Sequence, residues 1–255
     1  MKLNYILHLA DNALILGHRL SEWCGHGPVL EQDMAMTNIA LDFIGQARLF
    51  YQYAAEITNE MTSPSQQKVV TEDDLAYLRD VWEFKNTLLV ELPNRDFAYT
   101  IARQFLYDTY NFYFFEKLTE SSDERLSAIA EKSLKEITYH LRWSSEWVIR
   151  LGDGTEESHE KMQIALDDLW QYSGELLTIT DLEKDLIERG VAVHLSEIKP
   201  LVDKKRAAVL AEATLKMPAA GWMQSGGKMG RHTEHLGFLL AEMQFLQRAY
   251  PNVEW

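Results

Sequence analysis

Residues 121–154 read SSDERLSAIAEKSLKEITYHLRWSSEWVIRLGDG, and this stretch decides the fold. Ser121 and Glu124 have capping-box spacing, in which a hydroxyl takes an orphan amide and a carboxylate reaches back to the cap. The stop comes only at Gly152-Asp153-Gly154, beyond Leu151. One helix of about 28 residues would be about 40 Å long. That length predicts a helical bundle.

The flanks read the same way. Upstream, Pro93-Asn94 precedes an aromatic helix predicted over 96–118, with Phe97, Tyr99, Phe105, Tyr107, Tyr110 and Phe112 to Phe115. A helix over 33–57 carries Met36, Ala40, Phe43, Ala47, Phe50 and Ala54 on one face, with Leu41, Ile44 and Tyr51 beside it. So wide an apolar sector implies burial against several neighbours. The first helix, 3–23, closes at Gly25-His26-Gly27-Pro28. Residues 59–70, with Ser63-Pro64-Ser65, read as an exposed loop, and Thr71 with Asp74 as the cap of a short helix running to about residue 90. Downstream, helices are predicted over 157–177, 181–189 (Thr180 and Glu183 capping, Gly190 ending it), 197–215 and 233–250. Four are long enough for a core, so the expectation is an all-α four-helix bundle with additional peripheral helices, residues 1–255 forming one domain.

With 46% hydrophobic residues in 255, the chain can bury a core without metal or disulfide. A net charge of −14 disfavours nucleic acid and anionic membranes. A single cysteine, Cys24, excludes an internal disulfide framework and suits a reducing compartment. No run is long and apolar enough to span a bilayer, and His8, Asp11 and Asn12 break the first apolar stretch. A cytoplasmic location is expected.

Acidic residues on inward faces of a helical bundle invite a test for a carboxylate-bridged di-iron site. That site takes a Glu from each of two helices and a Glu-x-x-His from each of two others. The one Glu-x-x-His here, Glu156 to His159, follows Gly-Asp-Gly in a polar stretch and reads as a surface helix start. Weaker candidates are Asp42 with Gln46, Gln104 with Asp108, Glu136 with His140, and His232, His235 and Glu242 near the last helix. Buried charge needs a partner, so Asp42, Asp108, Glu136, His140, His235 and Glu242 are expected as polar pairs, among themselves or with Arg48, Arg103 and Arg142, and no metal in this chain.

Other signals are weaker. Gly221 and Gly226 imitate phosphate-loop spacing, but Gly227 stands where the lysine belongs and Met229 replaces Ser or Thr. Residues 225–231 read as a mobile or partner-ordered loop, whose Lys228 and Arg231 are candidate contacts for a ligand's phosphate. Lys204-Lys205-Arg206 reads as a solvated helix face, the aromatic helix as core or interface, and Cys24 beside His26 as packing at a helix end.

Taken together, 22–26 (EWCGH), 38–48 (NIALDFIGQAR), 90–94 (VELPN), 100–104 (TIARQ), 135–142 (KEITYHLR), 226–237 (GGKMGRHTEHLG) and 240–248 (LAEMQFLQR) resemble the C subunits of bacterial phenylacetyl-CoA epoxidases. The resemblance implies a ferritin-like, non-catalytic structural subunit without iron. It implies a homologous catalytic subunit that carries the di-iron centre, in aerobic phenylacetate catabolism. That assembly epoxidises the ring of phenylacetyl-CoA with oxygen and with electrons from NADPH, passed through a reductase carrying flavin and an iron–sulfur cluster. Phenylacetyl-CoA would lie near the subunit interface. Two rival expectations are a di-iron oxygenase with atypical ligands and a helical adaptor unrelated to oxygen chemistry.

Overall fold

The computed structural model describes residues 1–61, 69–219, 221–251 and 253. Its helices are α1 (Lys2–Ser21), α2 (Leu30–Glu60), α3 (Glu72–Tyr77), α4 (Leu88–Glu91), α5 (Phe97–Leu118), α6 (Glu124–Gly152), α7 (Glu156–Trp170), α8 (Asp181–Glu188), α9 (Leu195–Glu212), α10 (Glu234–Met243) and α11 (Phe245–Ala249). There is no strand among the described residues. Four helices reach 20 residues or more: α1 with 20, α2 with 31, α5 with 22 and α6 with 29. The all-α, ferritin-like expectation therefore holds, with shorter helices added to four long ones. No helix is long and apolar enough to cross a membrane among the described residues.

The chain forms two compact units: Met1–Trp23, Met36–Pro93 and Gly226–Trp255 make the first, and Cys24–Ala35 with Asn94–Ser225 the second. In the second, α5 packs against α6, α7 and α9, and α6 also meets α7 and α9. This surrounds α5, which is buried on every side from Ala98 to Asn111. Its aromatic residues are thus largely core. Arg206 of α9 is buried too, its Nη2 donating to Leu106 O at 2.7 Å, so the last residue of the basic run is not part of a solvated face. In the first unit α1 is buried almost all round and packs on α4. Gly17 admits α2, since a Cβ there would lie 3.0 Å from Ile44 Cδ1 and 3.2 Å from Ala40 O.

Several boundaries differ from expectation, each for a local reason. The N-cap of α6 is Asp123, which accepts from Leu126 N at 3.2 Å. Ser121 is drawn away by the Val191 carbonyl, to which its hydroxyl donates at 2.7 Å. The helix from Thr71 has the expected capping box with Asp74 but stops at Tyr77. Beyond it, Asp80 and Glu83 form a second capping box over a 3₁₀ turn, Val81–Glu83, and Asp11 and Asn12 of α1 take the Lys85 and Thr87 amides. The long last helix is two, α10 and α11, divided at Gln244. The Gln244 side chain donates to Arg79 O at 3.0 Å. The expected Ser63-Pro64-Ser65 loop lies outside the described residues, although Asn59 clasps Val70 at its base through two bonds of 2.8 and 2.9 Å.

Candidate functional site

In the second unit, helical spacing puts Gln104 and Asp108 on one face of α5 and His140 and Ser144 on one face of α6, all four fully buried. Gln104 Nε2 donates to Asp108 Oδ1 at 2.7 Å. Burial pushes the Asp108 carboxyl up to about 6, against the opposing pull of His140 and of hydrogen bonds from Ser144 and Gln104. Glu136, one turn before His140, is half-buried. Of the predicted polar residues, the structure brings Gln104, Asp108 and His140 together.

A di-iron centre needs about six protein donors, four carboxylates and two imidazoles. Here the facing helices supply one fully buried carboxylate, one imidazole and an amide, which does not fit. Glu156 is exposed in the first turn of α7, and His159 Nδ1 bonds Gly152 O at 2.6 Å, so that Glu-x-x-His caps a helix end. Among the described residues, no group of three or more His, Cys, Asp or Glu comes together as a metal site.

Asp108 gives a testable pH dependence. A raised acid keeps its proton in the native state after the unfolded chain has released it, so its stabilising contribution is complete below about pH 4 and is lost as pH rises through 6. The difference amounts to about 3 kcal/mol at pH 7. Asp108→Asn should therefore gain on the natural chain between pH 4.5 and 7 in urea unfolding. Parallel pH profiles for the two proteins would contradict the burial argument.

The first unit holds the remaining predicted residues. Asp42 is half-buried on α2 beside buried Gln46, while exposed Arg48 pairs with Glu72 at 3.4 Å. His235 is half-buried and offers its carbonyl to Arg19 Nη2 at 3.3 Å. Glu242 is exposed on α10, so a buried-pair role does not extend to it within this chain. Lys228 is half-buried and Arg231 exposed.

The glycine-rich segment forms a defined turn. Gly226 (φ +135°) and Gly230 (φ +79°) frame a 3₁₀ turn over Gly227–Met229. A Cβ on Gly227 would lie 2.2 Å from Asn86 O, and one on Gly230 2.4 Å from Trp82 O. The turn thus presses its backbone directly onto residues 82–88.

A buried ion pair and a fully buried imidazole–carboxyl contact, neither anticipated from spacing, pin that same segment. The Arg79 guanidinium bonds Asp11, which also accepts from Tyr51 Oη at 2.6 Å and Lys85 N at 2.7 Å. Thr87 N donates to Asn12 Oδ1 at 2.9 Å. At the other end, His232 Nδ1 lies 2.9 Å from Glu91 Oε2 and its Nε2 2.9 Å from Phe84 O. Glu91 also takes Thr233 N at 2.6 Å and Asn86 Nδ2 at 3.0 Å. Asp11 and Asn12, polar groups inside an otherwise apolar helix, were the sequence signal for the first pair. Residues 90–94 and 226–237 meet in the second.

Fold and site together define a ferritin-like helical protein in which the facing α5 and α6 carry a hydrogen-bonded polar core. The chain belongs to the phenylacetic acid catabolic protein family, whose model matches residues 1–255. It is 47% identical over 251 residues to the C subunit of the 1,2-phenylacetyl-CoA epoxidase of Escherichia coli (strain K12), a match that covers 98% of each chain.

Proposed function

We propose that this chain is a non-catalytic structural subunit of a multicomponent 1,2-phenylacetyl-CoA epoxidase in phenylacetate catabolism. Its partner in this reading is a homologous ferritin-like subunit that holds the di-iron centre. Electrons come from NADPH through a separate reductase with flavin and iron–sulfur groups, and the whole assembly is cytoplasmic. The observation that carries the reading is the α5–α6 core, where the buried residues are Gln104, Asp108, His140 and Ser144. One such carboxylate and one imidazole fall far short of the about six donors that two irons take, so oxygen chemistry falls to another chain. The 47% identity to the Escherichia coli epoxidase component supports the assembly and the substrate.

The role left to this chain is burial of helical surface against the catalytic subunit. Obligate complexes of this kind bury on the order of 2,000 Å² or more. In the same reading, Lys228 and Arg231 lie near the coenzyme A portion of phenylacetyl-CoA at the subunit boundary. The test is reconstitution of phenylacetyl-CoA epoxidation from purified components, with and without this chain. Activity should require it, and full activity in its absence would end the proposal. Metal analysis of the purified chain should find well under one iron, whereas roughly two irons per chain would restore the rival di-iron reading.

A further inference from the structure

We draw no further inference here: the strongest candidate, the open cleft between the end of α7 and residues 218–223, lined by Trp170, Met223 and the exposed Trp222, is an aromatic surface patch, and nothing in the structure shows what covers it.

Discussion

His232→Ala is expected to lower the unfolding free energy by about 2–5 kcal/mol, the cost of stripping a hydrogen-bond partner from two buried groups at about 1–3 kcal/mol each. Both the His232 and Glu91 side chains are fully buried. Phe84 O can only accept, so His232 Nε2 carries a hydrogen toward it, while Nδ1 faces Glu91 Oε2. Without the imidazole, Phe84 O loses its donor and Glu91 keeps only Asn86 Nδ2 and Thr233 N. An acid left buried on two neutral donors is costly, and no solvent reaches it. Glu91→Gln should cost less, because an amide keeps the shape and one accepting oxygen. Urea unfolding of both variants checks this. A loss under about 1 kcal/mol for His232→Ala would show that the pair contributes little beyond shape.

The contrast between the two units shows what could be read in advance. Helix type was legible because period, caps and stops are local: Thr71 caps its helix with Asp74, and Thr180 with Glu183 forms the capping box its spacing predicts. The α6 cap was misplaced by two residues because the competitor for Ser121, the Val191 carbonyl, lies 70 residues away. The same limit explains residues 78–87. The Lys85 and Thr87 amides are taken by Asp11 and Asn12, more than 70 positions earlier, so the helical pattern there is broken. At the candidate site, Asp108 with His140 could be suspected from helical faces alone, since each belongs to a long, regular helix. Glu91 with His232 could not, because 141 residues separate them and neither lies on a long amphipathic face. Both halves of that pair nonetheless sit in stretches that carried the family resemblance, 90–94 and 226–237.

Gly230→Ala is expected to cost roughly 3 kcal/mol or more and to act at a distance on the rest of the clasp. Two effects add. The position has φ +79°, in the left-handed region, where an L side chain costs roughly 1–2 kcal/mol. The new methyl would also stand 2.4 Å from Trp82 O and 3.0 Å from Lys85 Nζ. The lysine can swing away, but the carbonyl belongs to a backbone fixed by the Asp80–Glu83 box and by Arg79, whose Nη1 donates to Glu83 O at 3.1 Å. Overpacking against a backbone that cannot yield adds about 1–3 kcal/mol. Gly227→Ala meets Asn86 O at 2.2 Å with no φ penalty, and so isolates the steric part. Gly237→Ala is the opposite case, open space inside a helix, and should raise stability by about 1 kcal/mol. The order Gly237→Ala above the natural chain above Gly227→Ala, measured by urea midpoints, follows from backbone contact distances alone. If Gly227→Ala and Gly230→Ala both unfold where the natural chain does, the turn is not seated on residues 82–88. If they fall as expected, residues 82–88 and the Glu91–His232 contact depend on one turn.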